Sequence, residues 1–481
     1  MHWTPIIRLF GMLLMLYSFS FAPSIGVALF YQDDQWSVFA ISLLASLLVG
    51  LMMWFPVRQT SSEISVREGY FVVSFFWILL GAVGSLPFLL SLHLDFTDAM
   101  FESISGFTST GSTVIVGLDE LPRSLLYHRQ QIQWLGGMGI IVLAVAVLPL
   151  LGIGGMQLYQ AEASGVAKHE KITPRIAETA RSLWLIYVCL TVICALAYWL
   201  AGMQLFDAIG HAMSTISTGG FSTHDASIGY YDSPLIEMIA IVFMIAGGTN
   251  FALHFFALRS RSARIYARDG EFRTYLYILL CTTLVITMTL FVVGTHESLL
   301  TALRVSVFQV VALMTSTGFG TETFSSWPLF VPLLIIMVAH IGGCAGSTSG
   351  GIKVLRIILL TRLALRQLFH MAHPQAVSVI KLNNRLIPDD QLFSVWGFYT
   401  LYILSSLVLT LAMMAAGLDL VSAFGAVSAT ITLMGPGLGE VATDFSTVNT
   451  AVKWLGIFAM LVGRLEVFTL LILFLPAYWR N

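Results

Sequence analysis

Phe107-Thr108-Ser109-Thr110-Gly111 comes back three more times along the chain: as Ile216-Ser217-Thr218-Gly219, as Met314-Thr315-Ser316-Thr317-Gly318, and as Ile431-Thr432-Leu433-Met434-Gly435. Each copy follows a semi-apolar stretch too short to span a bilayer and precedes a longer apolar run. The short stretches reach only about 20 Å as helix. Each must therefore stop partway through a membrane and return. Non-helical backbone at that depth is tolerated only where it is buried in protein or faces water. Four copies of one small-residue loop point to a ring, and rings of backbone carbonyls at membrane depth strip water from a cation.

Composition supports a membrane setting. Of 481 residues, 57% are hydrophobic and 10% charged, against about 25% charged in soluble domains. Apolar segments of about 20 residues, enough for a ~30 Å hydrocarbon core, recur along the chain. The first of them, residues 9–31, exceeds the ~7–15-residue core of a signal peptide and reads as a retained helix. Cys189, Cys194, Cys281 and Cys344 include no Cys-x-x-Cys pair and suggest neither a metal site nor a disulfide framework.

The pattern reads as an all-α polytopic membrane protein: two leading helices (1–66), then four units at 67–165, 166–265, 266–385 and 386–481. Each unit has a long helix, a half-length segment (95–108, 204–217, 299–315 and 419–433), the loop, and a second helix (130–155, 234–258, an interrupted 328–368, and 450–477). Asp95 to Asp98, Phe206-Asp207 and Leu418-Asp419 mark starts of the half-length segments on the outer side. Their C-terminal, partly negative ends then face mid-membrane and favour a cation.

Charge sets the orientation. Alternating sides from a cytoplasmic N-terminus sorts 19 of the 24 Lys and Arg inside. Arg123, Arg129, Arg304 and Lys453 fall outside, and Arg464 lies within an apolar run. Basic loops are cytoplasmic by the positive-inside rule, so both termini face the cytoplasm. Of the 26 Asp and Glu, 16 fall outside, which concentrates cations at a pore mouth.

Within each loop, Gly111, Gly219, Gly318 and Gly435 supply the freedom to turn a carbonyl toward a central axis. Neighbouring Ser and Thr hydroxyls add oxygen ligands. No Asp or Glu stands at these positions, so a large monovalent cation fits better than calcium or magnesium. In the third unit, about 14 residues after Pro328, the stretch Gly342-Gly343-Cys344-Ala345-Gly346-Ser347-Thr348-Ser349-Gly350-Gly351 interrupts the helix at membrane depth. Few packing contacts are expected for it, and so alternative conformations. A phosphate-cradling reading with Lys353 lacks the flanking strand that motif requires; a plain glycine kink is the simpler alternative. Arg464 is costly at its depth unless paired or hydrated, with Glu466 as the nearest acid, and is a functional candidate. His211, His224 and His340 are isolated, which fits structural roles better than proton sensing.

These four loops, with Gly219 to Ser227 and Gly435-Pro436-Gly437-Leu438-Gly439, resemble the Trk/Ktr/HKT superfamily of potassium transporters. The resemblance covers essentially the whole chain. It is strongest to the bacterial TrkH/TrkG branch, through the leading helix pair and Gly463 to Thr469. It implies a filter formed by Thr110, Gly111, Thr218, Gly219, Thr317, Gly318, Met434 and Gly435, binding potassium and also rubidium or sodium. It further implies a gate formed by Gly342, Gly343, Gly346, Ser347, Thr348, Ser349, Gly350 and Gly351, with Arg464 beside the pore below the filter. A bacterial inner-membrane location, a homodimer with a pore in each protomer, and a cytosolic TrkA-like nucleotide-binding ring belong to the same resemblance. It implies no cofactor in this chain, no enzymatic step and no nucleic acid. Thr432-Leu433-Met434 and Ser112 depart from the family pattern. One glycine per loop implies a short filter with looser discrimination against sodium. The rival reading is a symporter coupling potassium to protons or sodium, which would prefer a titratable residue on the pathway. The loops contain none.

Overall fold

A computed structural model describes residues 2–59, 65–147, 176–376, 378–383 and 385–480. Among the described residues the regular structure is helical apart from one two-stranded antiparallel ribbon. The leading helices are α1 (Trp3–Ser18), α2 (Phe21–Tyr31) and α3 (Trp36–Trp54). The first unit holds α4 (Val66–Gly84), α5 (Leu86–Ser91), α6 (Phe96–Phe107) and α7 (Arg123–Val147). The second holds α8 (Ile176–Leu200), α9 (Leu205–Ile216), α10 (Pro234–Gly247) and α11 (Phe251–Ser260), followed by the short α12 (Arg264–Arg268). The third holds α13 (Gly270–Val293), α14 (Leu299–Met314), α15 (Val331–Ile341) and α16 (Val354–Ala372), then β1 (Lys381–Leu382) and β2 (Arg385–Leu386). The fourth holds α17 (Asp389–Ala415), α18 (Leu420–Ile431), α19 (Thr450–Arg464), α20 (Phe468–Leu471) and α21 (Pro476–Trp479).

Among the described residues, six helical stretches are long and apolar enough to cross a membrane, or eight if two sharply bent pairs each count as one. The short helices α6, α9, α14 and α18 lie inside this cage, and nearly every residue in their second halves is buried. Asp95 caps α6 through the Asp98 N–H at 2.9 Å, and Asp419 caps α18, as their positions suggested. Asp207 instead falls in the first turn of α9 and accepts the Thr223 hydroxyl at 2.8 Å.

The second helices differ from the expected ones. α7 begins at Arg123, not at 130, because Asp33 of the leading pair accepts the Ser124 N–H at 2.8 Å and starts it earlier. The expected end of that helix at 155 and the unit boundary at 165 lie outside the described residues. The expected single helices 234–258 and 450–477 are each broken: α10 turns into α11 by 95°, and α19 into its continuation by 112°. The first break falls at Gly247 to Asn250. The second falls at Glu466 and Val467, both at positive φ. Each bent pair, taken together, is still apolar enough to pass for one span, so hydropathy did not reveal the breaks.

The leading pair packs through glycine. A Cβ on Gly11 would lie 2.7 Å from the Gly50 carbonyl, and one on Gly50 would lie 2.9 Å from the Gly11 carbonyl. Small residues that let helix backbones touch are a main source of association in lipid. Gly50→Val is expected to separate α1 from α3 and cost about 1–3 kcal/mol, read as a lower thermal unfolding midpoint in detergent. An unchanged midpoint would refute that close packing.

Candidate functional site

The four short helices end in one shared backbone pattern. The N–H groups of Thr110, Gly219, Thr317 and Met434 reach back five residues to Ser105, Ser214, Ala312 and Ala429, at 2.8–3.0 Å. The residue before each one is left-handed: Ser109 (φ 57°), Thr218 (51°), Ser316 (55°) and Leu433 (61°). The residue after each one is a glycine that is also at positive φ: Gly111 (82°), Gly220 (80°), Gly318 (77°) and Gly435 (90°). The second loop is thus shifted by one residue from the expected register. Gly220, not Gly219, corresponds to Gly111; Gly219 corresponds to Thr110, and Thr218 to Ser109. Matching on Ser-Thr-Gly hid this, whereas Gly220-Phe221 against Gly318-Phe319 gives the register found.

The loops then meet in a closed ring. A Cβ on Gly111 would overlap the Gly219 carbonyl oxygen, one on Gly220 that of Thr317, and one on Gly318 that of Met434. Gly435 completes the circuit, with its Cβ position 3.0 Å from the Thr110 carbonyl oxygen. All four contacts run in the same direction, first loop to second to third to fourth and back to first. The carbonyls of Thr110, Gly219, Thr317 and Met434 therefore form one backbone layer.

Side chains brace this layer. Thr108 pairs with Thr110, and Thr315 with Thr317, each through hydroxyls 2.7 Å apart. Ser112, one of the family departures, donates to the Gly435 carbonyl at 2.8 Å and so joins the first loop to the fourth. Gln133 on α7 donates to the Gly219 carbonyl at 2.6 Å and accepts the Phe221 N–H at 3.0 Å. Glycines on three second helices seat against the last carbonyl of the short helix in their own unit: Gly136 on Phe107, Gly247 on Ile216 and Gly463 on Ile431. Neither Gln133 nor these glycines stood out in the sequence, because their signal is distance in space.

The stretch Gly342 to Gly351 lies against the helix side of the ring. Thr348 Oγ1 donates to the carbonyls of Ile216 at 3.0 Å and Gly247 at 3.1 Å, and accepts from the Thr218 hydroxyl at 3.1 Å. The Gly350 N–H donates to the Ser316 hydroxyl at 2.6 Å, and the Gly350 backbone abuts the Thr432 carbonyl. The Cys344 N–H donates to the Gly248 carbonyl at 2.8 Å. Glu271, at the start of α13, accepts the N–H groups of Ala345 and Leu355 at 2.6 and 3.1 Å, one within the stretch and one beyond it. Few contacts were expected here; hydrogen bonds hold it in place of apolar packing. Gly346 is exposed and Ser347 half-buried, while Thr348, Ser349 and Gly350 are buried.

Arg464 sits at the end of α19. It donates to the Thr348 carbonyl at 3.2 Å and to those of Gly136 and Gly137. Glu466, the nearest acid in sequence, bonds Arg356 at 2.6 Å. Glu466 and Val467, both at positive φ, turn the chain there.

Of the four cations that charge sorting assigns to the outside, Arg129 pairs with Glu102 at 2.7 Å, Arg304 with Glu237 at 2.7 Å and Lys453 with Asp98 at 2.5 Å. Arg123 stacks over Tyr31 at 4.4 Å. Nearby, His224 stacks on Tyr230 at 3.6 Å and bonds Asp119. That hydrogen bond holds the Asp119 carboxyl below its ordinary range, so the link persists at neutral pH and is lost only as pH falls below about 4. His211 is buried between the Asp207 carbonyl and the Ser222 hydroxyl. His340 bonds the Ile336 carbonyl one turn back on its own helix.

Comparison with known proteins gives the same architecture a family. A model described as "TrkH: Cation transport protein" matches residues 35–481. The chain is 51% identical to the Trk system potassium uptake protein TrkH of Salmonella typhimurium, and 38% identical to TrkG of Escherichia coli K12, over 99–100% of each chain. The crystal structure of the potassium transporter TrkH from Vibrio parahaemolyticus matches with a TM-score of 0.91 at 48% identity, covering 100% of both chains.

The chain belongs to the TrkH family. It is a multi-pass member with the four-loop ring, and no group of three or more His, Cys, Asp or Glu that could hold a metal occurs among the described residues. The register of the second loop separates two glycines that the sequence alone confuses. Gly220→Ala forces an L-residue into left-handed backbone, at about 1–2 kcal/mol, and drives a methyl into the Thr317 carbonyl. Gly219 is not left-handed, and a methyl there meets the end of the Gln133 side chain, not backbone. Gly220→Ala is therefore expected to lower ion uptake by reconstituted protein far more than Gly219→Ala. The reverse order would restore the original register.

Proposed function

We propose that this protein takes up potassium across a bacterial inner membrane by passive permeation through the ring, with rubidium accepted and sodium only loosely discriminated against. The observation that carries this reading is the closed circuit of glycine-to-carbonyl contacts among the four loops. Uncharged oxygens in a braced layer suit a large monovalent cation. The carbonyls of Thr110, Gly219, Thr317 and Met434 are its coordinating layer, with Gly111, Gly220, Gly318 and Gly435 as the joints. Gln133 shares the Gly219 carbonyl, so the second loop is the most firmly anchored. Relatives named as potassium uptake proteins support the choice of ion.

The Gly342–Gly351 stretch acts as the gate. It occupies the helix side of the ring, and its hydrogen bonds can be exchanged for water when it withdraws. Arg464 acts as its latch and as an electrostatic barrier. The units 67–165, 166–265, 266–385 and 386–481 act as the four quarters of one pore, with both termini cytoplasmic. The basic inner face, including Arg259, Arg261, Arg264, Arg268 and Arg273, docks a cytosolic TrkA-like nucleotide-binding ring, and two copies of the chain pair as a homodimer. In this reading the protein is a transporter with no chemical step of its own.

Rubidium-86 uptake into liposomes holding the purified protein, under a potassium gradient alone, tests permeation. Uptake competed by potassium is expected. Uptake that appears only with an added proton or sodium gradient would replace this reading with coupled symport. Arg464→Ala is expected to raise uptake about tenfold, the effect of removing about 1.4 kcal/mol of barrier. Equal or lower uptake by well-folded variant would refute a barrier role.

A further inference from the structure

Glu102 on α6 and Arg129 on α7 form an ion pair that lies wholly inside the protein, at 0% and 1% side-chain exposure. Removing one partner of such a pair leaves an uncompensated buried charge, while replacing both by apolar groups is often neutral for stability. Stability alone therefore gives little reason to place two charges here. Their hydrogen bonds give a better one.

The Arg129 Nε donates to Glu102 at 2.8 Å, and its two terminal nitrogens donate to the Ser222 carbonyl and the Thr113 hydroxyl, both at 3.2 Å. The guanidinium lies 4.1 Å over the Phe221 ring. Glu102 accepts the Thr113 hydroxyl at 2.9–3.0 Å and the Val114 N–H at 3.0 Å. Thr113 stands two residues beyond the ring glycine Gly111, and Phe221 one residue beyond Gly220. The pair thus spans the two strands of backbone that leave the first and second loops. One turn along α7, Gln133 holds the same second loop from the next level. The other two pairs, Arg304 with Glu237 and Lys453 with Asp98, are less buried, with Arg304 at 34% and Asp98 at 24% side-chain exposure.

We propose that Glu102 and Arg129 are a positioning pair that fixes the separation of the first and second loops, and through it the preference of the ring for potassium over sodium. A smaller ion is held well only if the carbonyls close on it, and a charge-assisted brace of fixed geometry resists that closure. This rests on reading the ring as the ion filter.

The test is rubidium-86 uptake into proteoliposomes, titrated with potassium and with sodium, for wild type, Glu102→Gln, Arg129→Gln, the double variant and Thr113→Val. The ratio of half-inhibiting sodium to half-inhibiting potassium is the readout, because a merely structural role lowers total uptake and leaves this ratio unmoved. Each single charge variant is expected to lower the ratio about tenfold, equivalent to about 1.4 kcal/mol. The double variant should be no worse than the weaker single one, since both substitutions remove the same brace. Thr113→Val keeps both charges, removes only the hydroxyl between them, and should shift the ratio less in the same direction. It decides the matter if a charge variant fails to fold. Unchanged ratios in folded variants of a selective wild type overturn the role of the pair alone. A wild type that takes up rubidium without preferring potassium overturns the ring reading, and the role of the pair with it.

Discussion

Backbone that leaves a helix in the middle of an apolar protein must find partners for its N–H and C=O groups, because hydrocarbon offers none. Here the same difficulty arises four times, at the ends of α6, α9, α14 and α18. The chain answers it with one device. The N–H five residues on turns back into the helix, two positive-φ residues bracket a single residue that is not, and that residue's carbonyl rests against the glycine of the preceding loop in the circuit. Because every loop leans on the next, no loop is positioned independently. The bracing side chains, the second-helix glycines and the Gly-rich stretch all arrange themselves around that circuit.

The second helices carry the consequence outward. Gly136, Gly247 and Gly463 permit a helix to lie on the last carbonyl of its own short helix, where any Cβ would hold it off. Just past these contacts α10 and α19 break, and in the third unit α15 gives way to the Gly342–Gly351 stretch. The breaks create room on the helix side of the ring, which Thr348, Ser349 and Gly350 fill. Arg464 bonds carbonyls from the first unit and from the Gly-rich stretch at once, so a single guanidinium ties three units together.

Much of this was legible in the sequence, for identifiable reasons. Repetition of a loop between a half-length and a full-length apolar segment gave the fold class. Asp95 and Asp419 marked helix starts because a cap is a local signal. The depth of Arg464 and the run of small residues at 342–351 stood out against an apolar background. What stayed hidden was non-local or ambiguous in register. Two adjacent glycines at 219 and 220 allow either alignment, and the backbone hydrogen bond from Gly219 to Ser214, with Gly220 at positive φ, selects one. Gln133 and the pair Glu102–Arg129 are ordinary polar residues in sequence and gain meaning from what they reach across 11 to 93 positions. Arg464 and Glu466, two residues apart, suggested a local ion pair; their bonds to the first unit, to the Gly-rich stretch and to Arg356 carry no local signal.

The central claim is that the carbonyl layer of Thr110, Gly219, Thr317 and Met434 holds the permeating ion. Anomalous diffraction from crystals of this protein grown in rubidium tests it most directly. The account expects a peak enclosed by the ring, level with those four carbonyls and bounded by Gly111, Gly220, Gly318 and Gly435. A ring without a peak, in crystals that show rubidium bound elsewhere along the pathway, would contradict it.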